Sequence, residues 1–289
     1  MNALNQQKNR HSLLWVVGLL MLFATSCVIE PNNGNVNNTR YFASENFSNQ
    51  IQVTTQHYLD LRGINGTVEI IGTDFSDIVD IWGERRVESD SKADAEVNLQ
   101  RLSVEITVNE DGVVVETRQP DETHGRNFIV NYHLRIPRNW LVYAENINGN
   151  TTVETIDNAV EVGLTNGNLD VNSINGDVSA ALVNGNLNLQ EISGNVLGAL
   201  VNGNIYGKVY LPLMGTCKLN AVNGNVALSI PQTTSAHFSS RVSNGGISLA
   251  NLTLQNATTT PTSLSGVLGS GNGSIDLQTV NGSIIVTGF

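Results

Sequence analysis

The Asn-Gly dipeptide recurs along the second half of the chain on a fixed beat, and that beat limits the fold more than any other feature. The pairs begin at positions 148, 166, 175, 184, 202, 223, 244, 272 and 281. Asp157-Asn158 and Ser193-Gly194 fill the two empty slots, so a step of nine residues is held six times between 148 and 202. The nines alternate in kind, which makes the true repeat eighteen. Leu164-Thr165-Asn166-Gly167-Asn168-Leu169 returns as Leu182-Val183-Asn184-Gly185-Asn186-Leu187 and as Leu200-Val201-Asn202-Gly203-Asn204-Ile205. Between these run Ile156-Asp157-Asn158-Ala159-Val160, Ile174-Asn175-Gly176-Asp177-Val178 and Ile192-Ser193-Gly194-Asn195-Val196. Fixed periods of this length are the signature of repeat architectures.

Aligned at eighteen, the repeats give columns of like residues: Val153, Val171 and Leu189; Leu169, Leu187 and Ile205; Ile156, Ile174 and Ile192; Asn148, Asn166, Asn184 and Asn202. Inside each nine, apolar and polar residues alternate, as in Asn186-Leu187-Asn188-Leu189-Gln190, the period of a strand with one buried face. Asn and Gly supply the turns because both tolerate positive φ at low steric cost. A row of antiparallel hairpins would use the same turns. Hairpins place no constraint on residues eighteen apart, however, whereas a solenoid stacks each coil on the last and matches like with like. The columns favour the solenoid, and the Asn column is expected to hydrogen-bond to itself from coil to coil. After 204 the step lengthens to twenty-one and then to twenty-eight, so Pro212-Leu213-Met214 and Ala257-Thr258-Thr259-Thr260-Pro261 are expected to bulge from coil corners. Cys217 falls in phase with Leu219 and Ala221 and reads as a small core residue.

Residues 51–145 are more charged. Leu61-Arg62-Gly63-Ile64-Asn65-Gly66-Thr67-Val68 already carries the Asn-Gly motif, so a first coil can start there. Ser91-Lys92-Ala93-Asp94 resembles a capping box, which predicts a helix over Ser91–Gln100. Ser103–Val108 and Val113–Arg118, joined by Asn109-Glu110-Asp111-Gly112, read as a hairpin, and Phe128–Ile136 alternates again. This segment is expected to cap the open end of the solenoid, where edge strands would otherwise be exposed.

The first residues read as an address. Lys8, Arg10 and His11 precede the apolar run Leu13–Phe23, which is shorter than the roughly 20 residues a membrane span takes. Small residues then lead to a cysteine, and Ala24-Thr25-Ser26-Cys27 resembles a bacterial lipobox with Ala in place of the usual Leu. The resemblance implies a signal peptide over 1–26 and lipidation at Cys27. Residues 27–50 are rich in Asn and Gly at their start and are expected to form a flexible tether.

A further resemblance rests on Leu134-Arg135-Ile136-Pro137 ahead of the repeats, Val226-Ala227-Leu228-Ser229-Ile230-Pro231, Asn244-Gly245-Gly246-Ile247-Ser248-Leu249 and the closing Asn281-Gly282-Ser283-Ile284-Ile285-Val286. Over roughly residues 55–289 the chain resembles a bacterial β-strand-repeat family of unknown function whose members are often labelled adhesins. The resemblance implies an exported or envelope location and a β-solenoid, with no catalytic or binding residues to carry over.

Without a leader carrying Lys8 and Arg10, 13 basic residues face 26 acidic ones. That balance repels phosphate backbones and argues against nucleic acid as a partner. The five histidines, His11, His57, His124, His133 and His237, lack metal-ligand spacing. From 162 onward the acidic residues are Asp170, Asp177, Glu191 and Asp276, too few for calcium sites along a β-roll or for the carboxylate clusters of polysaccharide-cleaving solenoids. With Cys27 lipidated, Cys217 has no disulfide partner. Tyr206 and Tyr210 could form a small patch, although packing in the core or at a corner is the more usual fate of Tyr.

The sequence therefore predicts an all-β chain: a right-handed single-stranded β-solenoid of about 18-residue coils over 146–289, with a β-rich capping segment over 51–145. It predicts a noncatalytic cell-envelope lipoprotein serving as a scaffold or binding surface, held to a membrane through Cys27. No cofactor or metal is expected. The alternative is a surface adhesin for a glycan or envelope protein, and a more distant one a carbohydrate-active enzyme.

Overall fold

A computed structural model of the chain describes residues 41–289; the expected signal peptide and Cys27 lie outside the described residues. The N-terminal part comprises β1 (Tyr41–Gln52), β2 (Tyr58–Arg62), β3 (Val68–Thr73), β4 (Ile78–Ser89), α1 (Lys92–Leu99), β5 (Ser103–Val108), β6 (Gly112–Arg118) and β7 (Asn127–Pro137). The regular middle runs β8 (Leu141–Asn148), β9 (Thr151–Ile156), β10 (Val160–Asn166), β11 (Leu169–Ile174), β12 (Val178–Asn184), β13 (Leu187–Ser193), β14 (Val196–Asn202) and β15 (Ile205–Tyr210). The C-terminal part holds β16 (Thr216–Asn223), β17 (Val226–Ile230), β18 (Ala236–Asn244), β19 (Ile247–Ala250), β20 (Gln255–Thr260), β21 (Ser263–Leu268), β22 (Gly273–Asn281) and β23 (Ile284–Gly288).

Two long, largely parallel sheets result, in a β-solenoid-like arrangement. The 11-stranded sheet has the order β1-β4-β7-β3-β9-β11-β13-β15-β17-β23-β19, and the 12-stranded sheet runs β20-β21-β18-β22-β16-β14-β12-β10-β8-β2-β6-β5. In the regular middle, Leu169 lies opposite Leu187 and Leu187 opposite Ile205, while Val160, Val178 and Val196 align in the other sheet. Their side chains meet between the sheets, where Leu169, Leu187 and Ile205 are all fully buried.

The Asn column is a continuous side-chain ladder. Asn148 donates to Asn65, Asn166 to Asn148, Asn184 to Asn166, Asn202 to Asn184 and Asn223 to Asn202, at 2.6–2.8 Å. A second ladder uses Asn150, Asn168, Asn186 and Asn204, whose side-chain carbonyls each accept from the backbone N–H one coil further on. The glycines are required by the stacking itself. A Cβ on Gly185, at φ +138°, would sit 1.7 Å from the carbonyl oxygen of Gly167.

Coil order departs from chain order at both ends. The C-terminal coil β22–β23 is inserted between β16–β17 and β18–β19, and β2–β3 sits between β6–β7 and β8–β9. Stacking each coil on the last, as the sequence suggested, therefore holds only in the middle. The insertion gives the C-terminal coil a parallel neighbour on both sides. Antiparallel strands continue three of the four sheet ends beyond the parallel stack, β21 and β20 at one end and β4, β1 and β5 at the other, while β19 ends the 11-stranded sheet. Residues 257–260, expected to bulge from a corner, are part of β20, whereas Leu213 and Met214 do protrude at a turn.

Strand β1 begins within the segment expected to be a tether, because Ala43, Phe47 and Ile51 give it an apolar face that packs at the end of the sheet. The helix and hairpin form where expected. Ser91 caps α1 by accepting from the Asp94 N–H at 3.2 Å, and β5 pairs antiparallel with β6. Asp94 in turn holds Arg126 through two bonds of 2.6 and 2.8 Å, tying the helix to the approach of β7.

Candidate functional site

Strand alternation turns every second side chain outward, so each sheet presents rows of aligned residues. On the 11-stranded sheet one row reads Ser48, Trp82, His133, Glu69, Thr152, Asp170, Asn188 and Tyr206. At its N-terminal end the row becomes an aromatic cluster. The Trp82 indole stacks on the His133 imidazole, with centroids 5.6 Å apart and planes 16° from parallel. His133 Nδ1 lies 2.6 Å from Glu69 Oε2, and the Arg135 guanidinium lies 5.2 Å from the centre of the Trp82 ring. These partners fix the indole from one side.

On the side toward β1 the register places Ser48, too small to cover an indole. A cleft of about 490 Å³ opens there, lined by Asn46, Ser48, Trp82, Glu84, Asn131 and His133. Beneath it, Gly83 allows Phe47 and Tyr132 to meet edge-on across the strand, with centroids 5.9 Å apart. A Cβ on Gly83 would come within 1.8 Å of the Asn131 carbonyl oxygen. The Tyr132 hydroxyl is anchored 2.7 Å from Thr117 Oγ1, and burial pushes its phenol up to about 12. The cleft is thus rigid at its base. Above the base, Asn46, Ser48 and Glu84 have no side-chain partner among the described residues. Asn131 commits its carbonyl to the Thr67 N–H and hydroxyl, leaving its NH₂ free.

At the other end of this face, Tyr206 and Tyr210 both point outward and are 43% and 37% exposed, so neither is a core residue. Tyr210 packs edge-on against Phe289 at 5.6 Å, which makes it a corner contact. Lys208, between them on the same face of β15, lies over the Phe289 ring and pairs with Glu191. Lys208, helped by the Tyr210 hydroxyl, holds the Glu191 carboxyl below its ordinary range. The lysine therefore separates the two tyrosines.

The 12-stranded sheet carries a smaller groove of about 350 Å³ over Ala181, Ala199, Val183, Val201, Val222 and Val280, with Lys218 and Arg241 in its lining. Cys217 is wholly buried, and burial pushes its thiol up to about 12. Among the described residues no three His, Cys, Asp or Glu side chains gather as a metal site would need, and no helix is long and apolar enough to cross a membrane. Sequence reasoning missed the Trp82 cluster. Its signal was the alternation of Ile81-Trp82-Gly83, which turns Trp82 outward, but only the antiparallel register of β4 on β7 brings in His133.

The fold defines a β-repeat protein whose two sheets present aligned rows of outward side chains. The model of the Toastrack DUF4097 family matches residues 67–287, and the chain belongs to that family. Among solved structures it is similar to a cell adhesion protein candidate from Clostridium sporogenes, at 12% identity and a TM-score of 0.36, covering 85% of this chain and 100% of the other. An adhesin candidate from Bacteroides fragilis aligns at 9% identity and a TM-score of 0.35, covering 84% and 97%. A lipid binding protein candidate from Parabacteroides distasonis aligns at 10% identity and a TM-score of 0.31, covering 84% and 95%. No curated protein matches the chain.

Proposed function

We propose that the protein is a noncatalytic lipoprotein of the bacterial cell envelope, anchored to a membrane by acylated Cys27, whose stacked coils serve as a scaffold that holds a binding surface away from the bilayer. Each coil has about eighteen residues and winds right-handed, the hand that parallel crossovers almost always take. The observation that carries this reading is the unbroken Asn ladder from Asn65 to Asn223, because side chains locked coil to coil make a stiff body with fixed outer rows. Two or more acyl chains hold a protein at a membrane stably, whereas one does so only marginally. Feeding cells a labelled fatty acid tests the anchor: label should enter the wild type and be lost in Cys27→Ser, which should leave the membrane fraction. Absence of label in the wild type would refute it.

The adhesin reading is the second one, supported by the open cleft beside Trp82. In that reading an envelope protein or a glycan docks on the outer face of the 11-stranded sheet.

A further inference from the structure

We infer that the cleft beside Trp82 is a binding site for an uncharged saccharide unit, which deepens the adhesin reading and rests on it. A pyranose has one face of weakly polarised C–H groups and a rim of hydroxyls that both donate and accept. It is matched by an aromatic ring, whose π face is electron-rich, set among planar hydrogen-bonding side chains. The cleft has that composition. Trp82 lines the cleft on the side toward Ser48, where among the described residues no large side chain lies opposite it in the register. Glu84 supplies acceptors, Asn46 an amide, and Asn131 its free NH₂, and none of these groups is committed to the protein.

Position and rigidity also fit. His133, itself tied to Glu69, fixes the indole plane, so little side-chain freedom is lost on binding. The volume of about 490 Å³ lies within the range of small-ligand sites. Among the described residues β1 is the outermost strand of its sheet, so the cleft lies at the end of the stack, where a glycan chain has room to continue. Charge selects among sugars. Among the described residues Glu84 is the acidic group lining the cleft and the Arg135 guanidinium lies against the indole, so the charges beside the ring offset each other and favour a neutral unit. The groove beside Lys218 and Arg241 lacks both an aromatic ring and this set of uncommitted amides.

The test is calorimetric titration of the full chain with chitotriose, laminaritriose, maltotriose and mannotriose, and with trigalacturonate as the charged comparison. At least one neutral sugar should bind in the millimolar range. Its affinity should fall about tenfold or more in Trp82→Ala, fall less in Trp82→Phe, and be unchanged in Tyr206→Ala. Thermal melts of each variant separate lost binding from lost folding. Binding of none of the neutral sugars, or full retention by a folded Trp82→Ala, would overturn the site. Acyl labelling at Cys27 is independent of this result, so the site can fail while the envelope reading stands.

Discussion

The side-chain amide of Asn281 donates to the side-chain carbonyl of Asn223 at 2.8 Å, across 58 residues of chain. Asn244, which precedes Asn281 in sequence, lies beyond it in the stack and donates to it at 2.8 Å. The last coil is therefore wedged between two coils made earlier. Its Ile275, Leu277, Ile284 and Val286 are fully buried there. A solenoid that simply ended would fray from its terminus, whereas here the terminal coil is paired on both sides.

Removing residues 273–289 should consequently open the stack rather than shorten it. In a Cys27→Ser background Cys217 is the only thiol, and in the intact protein its burial keeps it protonated and shielded. The truncated chain should react with a maleimide at least tenfold faster under native conditions. Unchanged protection would mean that β18 closes directly onto β16.

Inside the regular stack, Leu187→Asp places an unpaired charge between Leu169 and Ile205 and should cost several kcal/mol, unfolding at least the adjacent coils. Asn188, the outward-facing neighbour of Leu187, donates to Asp170 at 2.5 Å. Asn188→Asp would set two carboxylates opposite each other and should cost about 0.5–1 kcal/mol at neutral pH, less than Leu187→Asp. Chemical denaturation of both variants checks the ordering.

Glycines can be told apart by what their missing Cβ would meet. Gly185→Ala would drive a methyl into the Gly167 carbonyl at 1.7 Å and strain a φ of +138°, so it should lower the melting temperature markedly. Gly163→Ala meets only the Glu145 side chain at 3.8 Å. It should be neutral or slightly stabilising, since alanine restricts the unfolded chain. Equal effects of the two substitutions would contradict the close stacking of the turns.

Arg126, and then Ser89, hold the Asp94 carboxyl well below its ordinary value of 3.8. A depressed value in the fold means the stabilisation is fully present above the unfolded value and is lost as pH falls through the folded one. Thermal melts of the wild type should thus be insensitive to this pair above about pH 5 and show its loss in more acidic solution. Asp94→Asn should show the loss already at neutral pH and remove this acid-dependent component.

Much of the stack was legible in sequence because each coil repeats one chemistry. Columns such as Leu169, Leu187 and Ile205 are opposite one another in the sheet, and the Asn column is hydrogen-bonded as expected. One detail was present but unread. Val153 and Ile156 are both buried yet three apart, which strict alternation forbids. The strands resolve this with a left-handed residue at the same place in successive coils, Thr155, Ser173 and Glu191, at φ of 61°, 57° and 54°. What sequence could not give was the order of coils at the ends. Strands β16, β18 and β22 share one alternating pattern that ends in Asn, so the pattern does not choose their order. The Trp82 cleft was hidden for a related reason, since it is built from β1, β4 and β7, whose antiparallel pairings carry no repeat.

The eighteen-residue coil is tested most directly by two deletions compared in circular dichroism and thermal melts. Removing residues 184–201 takes out β13 and β14 with the turn ahead of them, and brings Val183 to Asn202, so that every later strand keeps its sheet. That chain should remain folded with a cooperative melt. Removing 184–192 alone takes out half a coil and shifts every later strand to the opposite sheet, and it should abolish the melt. Two cooperative melts of similar midpoint would contradict the eighteen-residue coil and leave independent nine-residue units in its place.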